Sequence, residues 1–368
     1  MSQTCLMEPT FEPWSQPPCG HAVVVLMSGG VDSSVAALLL RDRGWSVVGV
    51  TMKVPVASGC SHPAPCCGNE AALVCHKLSI PHYFVDVGQA FHTYIVDPFR
   101  KAYAEGRTPN PCVDCNTFLK FGVLWDLIER ELGVAHLATG HYARVVREKG
   151  QSCLQTAVDR ERDQSYFIYG MPCDRLAAFH LPLGGLPKDA VREIARRRAL
   201  GVEDKPDSME LCFAGEGNYR NALQSDEAAG TGPILDTSGN RLGRHNGIEN
   251  YTIGQRRGLG IAATEPLYVV RIEAQDNALI VGPRDEGLVT TVRVRKPNVL
   301  AMERLVHSVR LQAKVRSHSP PSACRMRAMD ADGIIVEFDN SQFAPAPGQH
   351  LVLYDQDRLV AGGEIAPL

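Results

Sequence analysis

Three groups of residues have the types and spacing to do chemistry. Ser28, Gly29, Gly30, Asp32 and Ser33 stand in "MSGGVDSS", between two apolar runs. Cys112 and Cys115 stand at Cys-x-x-Cys spacing in "GRTPNPCVDCNTFLKF", and Cys212 follows in "KPDSMELCFAG". Cys60, His62, Cys66 and Cys67 crowd into "GCSHPAPCCGNE". Glycines after an apolar strand let the backbone close on an anion, and the free N–H groups and dipole of a following helix favour negative charge. Phosphate is the ligand such a turn suits. The stretch has neither the Gly-Lys-Ser/Thr ending of the common nucleotide triphosphatases nor the glycine spacing of the dinucleotide fingerprint.

The cysteines point to sulfur or metal. A helix amino terminus lowers a thiol's pKa, so Cys112 and Cys115 are expected to be partly thiolate. Three thiolates are one short of a closed tetrahedral zinc site. Two readings remain. A cubane iron–sulfur cluster takes three protein ligands and leaves one iron open to sulfide, or one cysteine carries a persulfide that a partner resolves by disulfide exchange. Cys60, His62, Cys66 and Cys67 suggest a metal knot, but adjacent cysteines cannot easily both reach one ion.

These residues must be positioned by regular elements. His21–Met27 is a β-branched run suited to a buried parallel strand, Val35–Leu40 reads as a helix closed by Arg41, Arg43 and Gly44, and Trp45–Met52 as the next strand. Such a βαβ unit puts Ser28–Ser34 at the carboxyl edge of a parallel sheet, where these folds bind ligands. Pro109 and Pro111 impose an extended loop before an amphipathic helix carrying Phe118, Phe121, Leu124, Leu127 and Ile128. Alternating strands and helices over 21–212, with strands near 46–52, 81–87, 134–139 and 153–158, predict an α/β fold with a doubly wound parallel sheet. Residues 213–282 are Gly-rich and read as a small linking domain. From 283 to 368 short alternating strands and turn signals predict a C-terminal β-barrel. Residues 1–20, with Glu8, Glu12 and scattered prolines, read as a disordered tail and not as a signal peptide.

Composition excludes less. The 368 residues are 44% hydrophobic, with no apolar run of the ~18 residues needed to cross a bilayer. No membrane role and a cytoplasmic location are expected, where the 12 cysteines would not be structural disulfides. The net charge of −3 argues mildly against a nucleic-acid partner. Clusters at Arg192, Arg196, Arg197 and Arg198, at Arg241, Arg244, Arg256 and Arg257, at Arg293, Arg295 and Lys296, and at Arg310, Lys314 and Arg316 keep a polyanion in view.

Ser-Gly-Gly-Val-Asp-Ser resembles the pyrophosphate loop of the ATP pyrophosphatase superfamily, whose members split ATP into AMP and pyrophosphate to activate an oxygen. From residue 21 onward the chain also resembles the tRNA-specific 2-thiouridylases. The segments that carry this likeness are "MSGGVDSSV", "GRTPNPCVDCNTFLKF", "ATGHYAR", "DQSYFIY", "LCFAG", "YTIGQRRGLGI" and "PGQ", in that order. The resemblance implies thiolation of carbon 2 of the wobble uridine in tRNAs for lysine, glutamate and glutamine, with ATP, Mg²⁺ and a cysteine desulfurase or sulfur relay protein as donor. It implies an ATP site at Leu26, Met27, Ser28, Gly29, Gly30, Val31, Asp32, Ser33, Met52 and Gly140. Asn110, Pro111 and Cys112 would lie against the target base, with Cys115 and Cys212 the catalytic pair and Cys212 the persulfide carrier. His141, Arg162, Asp163, Gln164, Arg316, Ser317 and Gln349 fall at tRNA-contacting positions. Leu26, Arg162 and Ser317 depart from the usual residues. Cys112 stands where many members carry aspartate, which favours a [4Fe-4S] cluster on Cys112, Cys115 and Cys212, since thiolate is the softer ligand. Two other classes fit parts of the pattern: another ATP pyrophosphatase, or a non-enzymatic iron–sulfur or RNA-binding protein.

Overall fold

The computed structural model describes residues 7–9, 21–54, 69–207, 211–213, 223, 230–307 and 310–367. Cys60, His62, Cys66 and Cys67 lie outside these described residues. The chain divides into two compact units: residues 1–95, 112–219 and 357–359 form one, and 96–111, 220–356 and 360–368 the other.

The first unit is built on a six-stranded sheet. Strands β1 (Met7–Pro9), β2 (Ala22–Leu26), β3 (Ser46–Lys53), β4 (His82–Asp86), β5 (His136–Ala138) and β8 (Phe179–His180) lie in the order β1-β4-β3-β2-β5-β8. All but β1 run parallel. The chain steps outward from β2 through β3 to β4 and then returns to the other side of β2, so the topological switch falls between β2 and β5. Ligands of doubly wound sheets bind at the carboxyl ends beside such a switch. Helix α1 (Val31–Asp42) packs Val31, Val35 and Leu38 into a core with Val23 and Val25 of β2 and with Ala71 and Val74 of α2 (Asn69–Leu78). Val191 and Ala195 of the Lys188–Arg197 helix join that core. Elsewhere in the unit, the rings of Phe121 and Trp125 lie against Phe179 of β8.

Four expectations are corrected in this unit. Met7–Pro9 lies inside the expected tail but forms an edge strand antiparallel to β4, whose outer hydrogen-bonding groups would otherwise lack a strand partner. The strand expected near 153–158 does not join the parallel sheet. As β7 (Gln151–Thr156) it pairs antiparallel with β6 (Ala143–Glu148), because Lys149 and Gly150, at φ 47° and 84°, make a two-residue hairpin turn. Phe118, expected on the buried face of its helix, is 49% exposed and lies beside Tyr94. Cys115–Leu124 winds as a π-helix between α-helical Pro111–Asp114 and Trp125–Leu132, and the wider turn rotates Phe118 outward while Leu119, Phe121 and Leu124 stay buried. Finally, 21–212 is not one compact unit, since the chain leaves it at Val96 and returns at Cys112.

The second unit joins two sheets. Strands β9 (Gly232–Asp236), β10 (Arg241–His245), β11 (Tyr268–Glu273) and β12 (Ala278–Gly282) are ordered β10-β9-β12-β11. Strands β13 (Leu288–Val299), β14 (Leu311–Lys314), β15 (Ser322–Asp330), β16 (Gly333–Phe343), β17 (His350–Asp355) and β18 (Arg358–Ile365) follow the order β13-β16-β15-β14-β17-β18, and pairing of β13 with β18 closes them into the expected barrel. Alternate residues such as Val292, Val294, Ile334, Val336, Leu351 and Leu353 fill its interior. The linking segment and barrel share a core, since Ala344 and Ala346 pack with Ile234, Ile253 and Leu279. Segment 96–111 is fastened to this unit. Thr108 N–H donates to the Pro347 carbonyl at 2.8 Å, Arg107 pairs with Glu364 at 2.7 Å, and a methyl on Gly106 would meet Ile272 at 2.8 Å.

Candidate active site

The glycine turn ends β2 and begins α1 at the switch point. Ser34 Oγ donates to the Gly30 carbonyl at 2.8 Å, Ser33 Oγ to the same oxygen at 3.2 Å, and Ser28 N–H to Ser33 Oγ at 3.2 Å. The serines tie the turn to the first helical turn, and Gly29 holds φ 73° beside Glu70. Ser28, Gly30, Val31 and Asp32 line a cavity of about 270 Å³ with Tyr142, Arg162, Gln164, Lys188, Lys205, Pro206 and Asp207. A cavity of similar size in the second unit is mainly apolar, and its Arg293 is already paired with Asp330.

Four residues of this cavity carry its charge network and were not picked out from sequence. Lys188 Nζ bonds both Asp32 oxygens at 2.9 and 2.8 Å and Asp207 at 2.8 Å, and lies 5.6 Å from the centre of the Tyr142 ring. Tyr142 donates its hydroxyl to Asp32 Oδ1 at 2.8 Å; burial first, and the Asp32 charge second, push its pKa far up. Burial would raise Asp207, but the hydrogen bond and charge of Lys188, with Arg192 and Arg162, bring it below its ordinary value. Lys205 reaches the Gly29 carbonyl at 3.3 Å and pairs with Glu70. Lys188, Arg162 and Lys205 therefore stand as cations around a helix amino terminus that already favours anions.

The remaining expected ATP residues cluster at the same edge. Leu26 and Met27 lead into the turn, Met52 is half-buried at the carboxyl end of β3, and Gly140 lies directly on the turn. A methyl at Gly140 would come within 2.7 Å of Ser33 N and 2.8 Å of the Asp32 carbonyl carbon. Asp32 is a carboxylate open to the cavity and suits a magnesium ion carried by a triphosphate.

On the cysteine side, Cys112 is exposed and Cys115 half-buried. The thiolate expectation is not met in this arrangement. Although Cys112 keeps an open face, desolvation by the surrounding protein raises the pKa of both thiols, Asp114 raises them further, and Lys120 opposes. Cys115 also falls beyond the first four residues of its helix, away from the free N–H groups. Lys120 donates to Asn116 Oδ1 at 2.8 Å, and Asn116 donates to the Phe167 carbonyl at 2.9 Å. Burial, then the Lys120 charge, hold His141 down at about 3; its Nδ1 lies 2.8 Å from Thr139 Oγ1. Lys120 thus acts on both cysteines and on His141.

Cys212 is half-buried, and its neighbour Phe213 packs on Phe91. Among the described residues no group of three or more histidine, cysteine, aspartate or glutamate side chains is gathered to hold a metal ion. Cys112, Cys115 and Cys212 do not fit a shared iron–sulfur cluster as they stand. Cys75 and Cys324 are buried, their thiols pushed up to about 12 by burial, and belong to the cores.

The residues expected at RNA have local work in this structure. Arg162 pairs with Asp207 at 3.0 Å, Gln164 Oε1 accepts from Tyr142 N–H at 2.9 Å, and Asp163 accepts from Ala157 N–H at 2.9 Å and Ser165 Oγ at 2.8 Å. In the second unit, Gln349 donates to the Thr108 and Pro109 carbonyls at 3.0 and 3.3 Å, so it braces the segment carrying Asn110 and Pro111. Arg316 donates to the Ala344 and Ile253 carbonyls at 2.5 and 3.4 Å, while Ser317 is half-buried in the turn after β14. No helix among the described residues is long and apolar enough to cross a membrane.

Residues 21–216 match the family described as tRNA methyl transferase HUP domain. Residues 220–283 match the tRNA methyl transferase PRC-barrel domain and 289–365 the aminomethyltransferase beta-barrel domain. The tRNA-specific 2-thiouridylase MnmA of Rickettsia felis is 42% identical over 354 residues, covering 93% of this chain and 96% of that protein. The tRNA-specific 2-thiouridylase MnmA 1 of Syntrophus aciditrophicus is 42% identical over 348 residues, covering 93% and 92%. That of Trichormus variabilis is 40% identical over 349 residues, covering 93% and 98%. With the switch-point turn, the cationic cavity and the paired cysteines, these likenesses run through nearly the whole chain, which belongs to the tRNA-specific 2-thiouridylase family.

Proposed function

We infer that the protein replaces the carbon-2 oxygen of the wobble uridine with sulfur, using ATP, in tRNAs for lysine, glutamate and glutamine. One observation carries this reading: three consecutive residues join the phosphate turn to the cysteines. Gly140 lies on Asp32 and Ser33, Tyr142 bonds Asp32, and His141 between them shares the field of Lys120 with Cys112 and Cys115.

The turn, from Leu26 to Ser33 with Met52 and Gly140, holds the nucleotide. Lys188, Lys205 and Arg162 meet the β and γ phosphates. Asp32 would hold Mg²⁺ carried with the triphosphate, which neutralises charge on the departing pyrophosphate. Asn110, Pro111 and Cys112 receive the unstacked base, at a cost that is low in a single-stranded loop. The uridine carbonyl oxygen attacks the α phosphorus and pyrophosphate leaves. Cys212 arrives loaded with a persulfide from a cysteine desulfurase or relay protein. Cys115, as thiolate, attacks the inner sulfur, the Cys115–Cys212 disulfide forms, and hydrosulfide is expelled. Hydrosulfide adds at carbon 2, AMP departs with the former carbonyl oxygen, and a thiol reductant restores the pair. Lys120 lowers the cost of forming the Cys115 thiolate. The persulfide route is preferred because the three cysteines are not gathered as cluster ligands. In this division of labour 21–212 does the chemistry, 213–282 is the linking domain, and the 283–368 barrel binds tRNA.

The test is to mix purified protein with ATP and unmodified tRNAs. Pyrophosphate release that requires a lysine, glutamate or glutamine tRNA supports the reading. Release with a different acceptor, or none with any tRNA, refutes it.

A further inference from the structure

The motif "YTIGQRRGLGI" places two arginines where the structure leaves them uncompensated. Arg256 and Arg257 are exposed and have no carboxylate partner among the described residues. Most other arginines among the described residues are neutralised at home: Arg271 by Glu273, Arg293 by Asp330, Arg304 by Asp355, Arg310 by Asp339 and Arg325 by Glu337.

Their loop is held at both ends. Ile253 and Leu259 are buried in the core shared by the linking segment and barrel. Gly254 N–H donates to the Val269 carbonyl at 2.7 Å, Val269 N–H to the Gln255 carbonyl at 2.9 Å, and Gln255 Nε2 to the Arg257 carbonyl at 2.9 Å. Arg316 braces the loop from the barrel side through the Ile253 carbonyl, lying so close that a methyl at Gly254, at φ 88°, would be 3.2 Å from its guanidinium. Next to the loop, a methyl on Gly243 of β10 would touch Ile261 at 2.8 Å, which brings in Arg241 and Arg244, both exposed, whose side chains bond the Gly243 carbonyl and Thr231 and no carboxylate among the described residues. Of the nearby carboxylates, Asp236 is occupied by Ser238 and Asn240, and Glu249 is folded over Gly247; Glu265 is exposed beyond the loop.

We propose that Arg256 and Arg257, on this braced loop, are a clamp for RNA backbone phosphates, with Arg316 and Gln255 as its positioning residues. The clamp rests on the reading above that the protein binds tRNA. Uncompensated arginines cost side-chain entropy and self-repulsion to present, and a fixed loop lowers that cost only for a partner whose charges are also fixed. A phosphodiester backbone is such a partner.

The test is tRNA affinity measured against potassium chloride for the full chain, the double variant Arg256→Gln/Arg257→Gln, and Arg256→Lys/Arg257→Lys. Each phosphate contact contributes about 0.7–0.9 to the slope of log affinity on log salt. The Gln pair is expected to lose about 1.4–1.8 of that slope with ATP affinity unchanged, and the Lys pair to keep it. A Gln pair that folds and binds tRNA with the wild-type slope overturns the clamp alone, including the case where only its response to the sulfur donor is lost, which would assign the loop to an acidic protein. A wild-type chain that binds ATP but no tRNA overturns both the clamp and the proposed function.

Discussion

Replacing Lys188 with methionine keeps the apolar stem and removes, among the described residues, the one cation that touches both Asp32 and Asp207. Breaking a buried ion pair costs about 3–5 kcal/mol. Here Asp32 is 31% and Asp207 25% exposed, and Asp207 keeps Arg162 and Arg192, so water and the remaining cations reduce the cost to about 1–2 kcal/mol. The fold should survive. ATP should suffer more, since a hydrogen bond to a charged group contributes about 1.5–3 kcal/mol. At 1.4 kcal/mol per decade, that is about a 10- to 150-fold loss of affinity. Equilibrium titration with magnesium ATP measures it, a thermal melt checks the fold, and Lys188→Arg should recover part of the affinity. A Lys188→Met protein that melts normally and binds ATP as tightly as wild type would refute the assignment of Lys188 to the phosphates.

Cys115→Ser should abolish thiolation while tRNA-dependent pyrophosphate release and ATP affinity persist; thiolation retained in an RNA product assay counts against its assigned role. Gly140→Ala puts a methyl against backbone atoms of Asp32 and Ser33, an overpacking of about 1–3 kcal/mol, and should weaken ATP binding about 5- to 150-fold in the same titration, whereas unchanged affinity would mean the turn does not carry the nucleotide. His82 and His350 are buried and held down at about 4 by desolvation, so they are neutral in the fold and gain protons on unfolding below about 6.5. Their contribution is present above pH 6.5 and is lost as pH falls towards 4, about 3 kcal/mol for each. Urea unfolding across that window should show the fall, and His82→Gln should make it shallower; a flat profile would contradict the burial argument.

The phosphate turn was legible because its signal is local: a β-branched strand, two glycines and a helix start lie within twenty residues. The barrel was legible for the same reason, since period-two alternation is written into each strand. Lys188, Lys205, Asp207 and Tyr142 were not, because their partners lie far along the chain, Asp32 being 156 residues from Lys188 and 110 from Tyr142. No spacing rule relates such pairs; only the return of the chain across the switch point brings them together. Phe118 was misread because an α-helical period was applied to a π-helical turn. Thiol acidity at Cys115 was misread because proximity to a helix start was weighed without the burial and the Asp114 charge that oppose it. The departure of Val96–Pro111 into the second unit has no periodic signature at all, being fixed by single contacts such as that of Gly106 with Ile272.

In the proposed reaction nucleotide energy and reactive sulfur act on one uridine carbon. This is tested most directly by supplying a tRNA whose wobble uridine carries oxygen-18 at carbon 2, with ATP, a sulfur donor and reductant, and weighing the AMP released. One labelled oxygen in AMP is expected for each 2-thiouridine formed; thiolated RNA accompanied by unlabelled AMP would contradict this reaction.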